Sequence, residues 1–135
     1  MEFMSYGIGV TIGGSIEDAE ARVRAELAEE GFGVLTEIDV AATLREKLGL
    51  ERGPYKILGA CNPALASRAL DIDEEIGLLL PCNVIIVEAE EGVVVAAMEP
   101  RIMAGLSPDP RLAAVADEAR ARLITALQRL ENSAG

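Results

Sequence analysis

The stretch CNVIIVEAEEGVVVAAM, residues 82–98, decides the fold of this chain. Its two apolar arms are rich in Val and Ile and are separated by Glu90 and Glu91, which is typical of a β-hairpin with strands over 82–89 and 92–99. An antiparallel strand with one solvent-exposed face alternates apolar and polar side chains, but both faces of these arms are apolar. We therefore expect both faces of the hairpin to be covered.

Strands and helices alternate on either side of this hairpin. Alternating apolar positions predict strands, and apolar positions spaced by three and four residues predict two long amphipathic helices. Ser15 precedes the first of these helices and Asp109-Pro110 opens the second, as expected of N-cap and first-turn residues. The predicted strands are 6–12, 33–40 and 55–61, the long helices 16–30 and 110–130, and the short helices 40–49 and 64–70.

The order of these elements, β-α-β-(α)-β-(α)-β-β-α, indicates an α+β fold with a single, mostly antiparallel sheet and both long helices on one face. Residues 1–131 are expected to form one domain and 132–135 a flexible tail. The long helices can cover only one face of the hairpin. The short helices, a second subunit or an apolar ligand must cover the other. A twofold homodimer formed through the sheet or its edge is one solution, and residues 71–80 folding back over that face is the alternative.

Composition excludes several functional classes. The chain has 135 residues with 12 basic and 23 acidic side chains, so its formal charge is 12 − 23 = −11, which disfavours nucleic acid and anionic membranes as partners. It contains no histidine, the commonest general base and a usual zinc ligand. Two cysteines are too few for a disulfide framework, and the longest apolar stretch, 76–87, is too short to span a bilayer. We expect a cytoplasmic protein.

Two further stretches carry a family resemblance. YKILGACNP, residues 55–63, and IGLLLPCNV, residues 76–84, resemble the domain of unknown function 302 family. The flanking elements also fit, so the resemblance extends over nearly the whole chain. It implies a β-α-β(4)-α domain similar to half of the TATA-box-binding-protein fold, commonly dimeric and of unassigned activity. DNA binding does not carry over, because a charge of −11 does not suit phosphate contacts.

The same two stretches contain the candidate site. Cys61 ends one predicted strand and Cys82 begins the next, so antiparallel pairing would bring both thiols to one end of the sheet. They would form either a soft-metal, persulfide or redox site, or two inert buried cysteines. Asn62 either caps the helix that Pro63 opens or presents its amide to a ligand. Arg101 and Met103 are further candidates to close a pocket.

We therefore predict a ligand site at Cys61, Asn62 and Cys82, with no metal and no catalytic residue, and with ligand and cofactor unidentified. The predicted function is a homodimeric small-ligand-binding or interaction module without catalysis. The alternative is a thiol-based redox protein, or one that binds a metal or cofactor, using the two cysteines. A third possibility is a structural partner in a larger assembly.

Overall fold

The predicted hairpin forms the two central strands of a six-stranded sheet in the computed structural model, which describes residues 1–133. All five predicted strands are present, with ends within one residue of those expected. A further two-residue strand at the N-terminus was not predicted. The strands in chain order are β1 (Glu2–Phe3), β2 (Gly7–Ile12), β3 (Gly33–Asp39), β4 (Tyr55–Cys61), β5 (Cys82–Ala89) and β6 (Gly92–Met98).

The order across the sheet is β1-β2-β6-β5-β4-β3, and every neighbouring pair is antiparallel. This arrangement confirms the α+β prediction of one antiparallel sheet. One irregularity lies at an edge, where the pairing of β3 with β4 shifts register between Val34 and Thr36 and leaves Leu35 in a β-bulge.

The helices follow the capping signals of the sequence. Ser15 Oγ accepts a hydrogen bond from Asp18 N (3.1 Å) at the start of the first helix. Gly49 ends the second helix in the left-handed conformation (φ 66°), which glycine adopts without a steric penalty. The helices are α1 (Ile16–Glu29), α2 (Val40–Leu48), α3 (Pro63–Ile72), a 3₁₀ helix (Glu74–Leu79), α4 (Pro100–Leu106) and α5 (Leu112–Ser133).

The chain departs from the predicted boundaries mainly after β6. Helix α4 was not predicted, and α5 begins at Leu112, because Asp109 O accepts from Leu112 N in a turn that precedes the helix. Helix α5 also continues through Asn132 and Ser133, which the sequence had placed in the tail. Residues 134 and 135 of the predicted tail lie outside the described residues.

The buried side chains form two clusters. In the larger one, α1 and α5 pack on one face of the sheet, where Val23 and Leu123 meet Ile8 and Ile86. Both long helices therefore lie on the same face, as predicted. The smaller cluster joins α3, the 3₁₀ helix, α4 and α5 to the start of β5.

Residues 71–80 belong to this smaller cluster. Ile76 of the 3₁₀ helix is buried together with Leu65 of α3 and Val115 of α5. The alternative in which this segment folds over the second face of the sheet is therefore wrong, because Ile76 is buried in the smaller cluster and Ile72, Leu79 and Leu80 pack against it.

Candidate functional site

The three predicted site residues lie at one end of the sheet and line the same cavity. Cys61 is the last residue of β4, Asn62 follows it as the N-cap of α3, and Cys82 begins β5. The cavity has a volume of about 60 Å³ and lies among α3, α4, α5 and the 3₁₀ helix. Its other lining residues are apolar: Phe32, Ala60, Leu65, Ala66, Ala69, Ile76, Leu80, Pro100, Met103, Ala104, Leu112, Val115, Ala116 and Ala119.

The amide of Asn62 is engaged in holding the fold. Its Oδ1 accepts from Leu65 N (3.2 Å), which caps α3, and its Nδ2 donates to Glu30 O (3.3 Å) at the end of α1. Gly31 leaves room for this contact, since a Cβ there would lie 3.0 Å from Nδ2 and its φ is +82°. The capping role is thus present, and both polar ends of the side chain already have protein partners.

The two cysteines share an end of the sheet but are not close together. The residue opposite Cys82 across β4 and β5 is Ala60, whereas Cys61 lies opposite Gly33 of β3. Because successive residues of a strand point to opposite faces, the two thiols leave the sheet on different sides. This register does not support a cysteine pair for redox chemistry or metal binding.

The chemistry of Cys82 agrees with that geometry. Burial raises the pKa of this thiol to about 11, with a smaller contribution from the charge of Cys61, so Cys82 is neutral at pH 7. A thiolate is the form that attacks disulfides and binds metals. Among residues 1–133, no cluster of three or more His, Cys, Asp or Glu side chains is arranged to hold a metal ion.

Met103 lines the cavity as the sequence suggested, but Arg101 does not. The Arg101 Nε donates instead to Asp117 Oδ1 (3.0 Å) at the surface. Helix α4 was missed in the sequence, although Glu99-Pro100 is a signal for the start of a helix. Glu99 Oε2 accepts from Arg101 N (3.3 Å), and Pro100 occupies the first turn. The lining positions on α3 and α5 have no local signal beyond their apolar spacing.

A second candidate surface is the face of the sheet turned away from α1 and α5, which we call the outer face. It carries a groove of about 650 Å³ formed by strand residues and the segment 4–6, with no helical residue in its lining. The side chains that point outward from the four central strands are uncharged. The positions on this face are Gly7, Gly9 and Thr11 of β2, Tyr55, Ile57, Gly59 and Cys61 of β4, Asn83, Ile85, Val87 and Ala89 of β5, and Gly92, Val94, Ala96 and Met98 of β6.

Comparison with known proteins shows which family has this architecture. The family model for the domain of unknown function DUF302 matches residues 8–130, which include both long helices up to Leu130 and five of the strands. The chain belongs to this family. The family resemblance drawn from residues 55–63 and 76–84 is thereby confirmed.

This DUF302 protein is also similar to a solved structure. The crystal structure of an uncharacterized conserved DUF302 protein from Bacillus stearothermophilus is 30% identical in sequence and superposes with a TM-score of 0.87. The alignment covers 94% of this chain and 99% of that chain. A search of the curated proteins finds no match. Within residues 1–133, no helix has the length and apolar character required to cross a bilayer.

Proposed function

We propose that this DUF302 protein is a non-catalytic homodimeric binding module whose two copies associate through their outer faces. The observation that carries the proposal is the uncharged, apolar character of the outer face in a chain of which 26% of the residues are charged. An exposed antiparallel face ordinarily carries polar side chains at its outward positions. Large apolar patches on soluble proteins commonly mark interaction sites.

A second copy of the chain suits this face better than an unlike charged partner. Two chains of net charge −11 repel one another at long range, so contact is least unfavourable where neither surface carries charge. A twofold arrangement brings the same patch of each copy together and closes the assembly at two subunits. Burial of the partly exposed Ile85, Val87 and Val94 would then supply the apolar contact.

The cavity beside Asn62 supports the ligand-binding part of the proposal. Ligand sites are concave and mostly apolar, with a small number of polar groups, and this cavity has that composition. All three predicted site residues line it. We also propose the cytoplasm as the compartment, because both cysteines are free thiols.

Native mass spectrometry of freshly purified protein at about micromolar concentration tests both parts together. We expect twice the mass of the 14.2 kDa chain, with added mass from a bound small molecule. A bare monomer would overturn the dimer, and a dimer of unmodified chain mass would remove the support for a resident ligand. A stable complex with an unlike protein would favour a structural role in a larger assembly.

A further inference from the structure

We propose that the cavity among α3, the 3₁₀ helix, α4 and α5 binds a small, uncharged, apolar molecule, or the apolar end of a longer aliphatic one. This inference rests on the ligand-binding part of the proposed function and names the class of ligand. It follows from what lines the cavity, from its size and from the hydrogen bonds that its polar residue already makes.

The lining excludes ions. None of its residues is an Asp, Glu, Lys or Arg. A carboxylate, phosphate or ammonium group inside would lose its hydration without meeting an opposite charge, which costs far more than burying an apolar group gains. The ligand, or the part of it that enters, must therefore be uncharged.

The lining also holds water poorly. About 60 Å³ exceeds the 10–15 Å³ that one water requires, but a buried water needs two to four polar partners. Both ends of the Asn62 amide are bonded to Leu65 N and Glu30 O. The other polar side-chain group of the lining that points to this side of the sheet is the Cys82 thiol, a weak donor and acceptor. Because the cavity offers water so few hydrogen-bond partners, it favours an apolar ligand over water.

The small side chains of two helices create this space. Ala66 and Ala69 of α3 and Ala116 and Ala119 of α5 line the cavity together with Ile76 and Met103. A cavity of about 150 Å³ lined by aliphatic residues admits benzene. At about 60 Å³, this cavity requires a smaller or narrower guest, such as a xenon atom or an unbranched alkyl end.

Xenon is the probe that tests this directly. We expect increasing xenon pressure to shift the methyl NMR resonances of Leu65, Ile76 and Val115 along a saturable curve. Sodium acetate, a small anion with one methyl group, should leave the same resonances in place. The absence of a saturable xenon shift, or a saturable response to acetate at these methyl groups, would overturn the inference.

Matched alanine variants locate the binding. Ala116→Leu places a larger side chain in the cavity, whereas Ala113→Leu makes the same change at an exposed position of α5. We expect the first to weaken xenon binding at least tenfold and the second to leave it unchanged. Equal binding by both variants would show that xenon occupies another place.

A second pair on α3 covers the case in which Ala116→Leu disturbs folding. Ala66 lines the cavity and Ala64 is exposed, so Ala66→Leu should weaken xenon binding while Ala64→Leu should not. Xenon binding tests the ligand class, and the native mass spectrum tests the dimer, so the two proposals can fail independently. A co-purified charged ligand without an apolar end would leave the binding module standing and refute the apolar class. Xenon binding by a bare monomer would support the apolar class and refute the dimer.

Discussion

Ile85 of β5 lies directly opposite Ala96 of β6 at the centre of the outer face. Ala96 is buried, and Ile85 in turn lies opposite Ile57 of β4. Three apolar residues on neighbouring strands therefore form a continuous row that α1 and α5 do not cover. A partner that binds at the centre of the outer face would contact these three residues.

Ile85→Asp is expected to dissociate the proposed dimer. A carboxylate at the centre of each outer face would be desolvated on association and would meet the like charge of the second copy. We expect the dissociation constant to rise at least tenfold in sedimentation velocity measurements. Leu78→Asp is the matched control, since Leu78 is an exposed apolar residue of the 3₁₀ helix. Asn83→Asp adds a charge to the outer face with little change of shape, so an unchanged constant in both Ile85→Asp and Asn83→Asp would contradict the proposed interface.

Gly59→Ala should destabilise the fold, because an added Cβ has no room. It would overlap with Thr36 Oγ1 and lie 2.8 Å from Pro81 Cγ. Overpacking of this kind typically costs about 1–3 kcal/mol, measurable by urea unfolding. Gly53→Ala is the control, since nothing lies within 4 Å of a Cβ at Gly53. Removing the Thr36 hydroxyl in Thr36→Ala should recover part of the loss, and a Gly59→Ala protein as stable as Gly53→Ala would refute the clash.

Asn62→Ala should cost more stability than the loss of an ordinary helix cap. The Asn62 side chain is buried, and the substitution removes both the acceptor for Leu65 N and the donor to Glu30 O. We expect the free energy of unfolding to fall by about 2 kcal/mol. Ser15→Ala removes a single cap at an exposed helix start and should cost about 1 kcal/mol. Equal losses would mean that the bond to Glu30 O contributes little.

Lys56 links α1 to the sheet, and its contribution to stability should depend on pH. Lys56 Nζ donates to Glu20 Oε1 (2.7 Å) and Glu37 Oε1 (3.2 Å). Burial raises the pKa of Glu20, but hydrogen bonds from Lys56 and Arg24 outweigh it, and the pKa lies below its ordinary value. Hydrogen bonds to Glu20 and Glu37 raise the pKa of Lys56.

The Glu20 contribution is therefore present above its ordinary pKa of 4.5 and is lost as pH falls through the lowered value. The Lys56 contribution is present below 10.5 and is lost as pH rises through the raised value. Urea unfolding should show Lys56→Met destabilised by about 1 kcal/mol at neutral pH, with the difference shrinking toward both extremes. Lys47→Met, at an exposed position of α2, is the control and should unfold like the unmodified protein at neutral pH.

Cys82 should resist alkylation in the folded protein. Its pKa of about 11, against an ordinary 9.0, lowers the thiolate fraction about 100-fold at pH 8, and its side chain is buried. Iodoacetamide labelling followed by peptide mass spectrometry should modify Cys61 first and Cys82 only slowly. Urea-unfolded protein, the control, should lose this difference. Equal labelling rates in the folded state would contradict the burial of Cys82.

The raised pKa of Cys82 also has a consequence for stability. Between about pH 9 and 11 the unfolded thiol releases its proton while the folded one retains it, so stability falls as pH rises through this range. Cys82→Ala should remove that part of the decline and leave the rest of the pH profile in place.

Local signals in the sequence account for most of the fold. The hairpin at 82–98, the N-caps Ser15 and Asn62, and Gly49 predict the elements that the structure contains. Strand β1 was missed because its two residues have no pattern of their own and pair only once β2 is in place. The start of α5 was placed too early because Asp109-Pro110 forms a turn before the helix rather than its first turn.

The candidate site was predicted less completely. The sequence indicated Cys61, Asn62 and Cys82 because they lie at strand and helix ends, and these residues do line one cavity. It could not show that the two thiols leave opposite faces of the sheet, since that depends on the register that pairs Cys82 with Ala60. Nor could it show that the Asn62 amide reaches Glu30, 32 positions earlier in the chain.

The two edge strands of the sheet limit how copies of the chain can associate. At one edge of the sheet, β1 is only two residues long. At the other edge, a bulge at Leu35 interrupts β3, which also carries the acidic Glu37 and Asp39. Short, bulged or charged edge strands discourage other chains from adding on by backbone hydrogen bonding. The proposed dimer would bury the outer face of both copies and leave neither edge strand suited to adding a third chain, so growth into filaments is not expected.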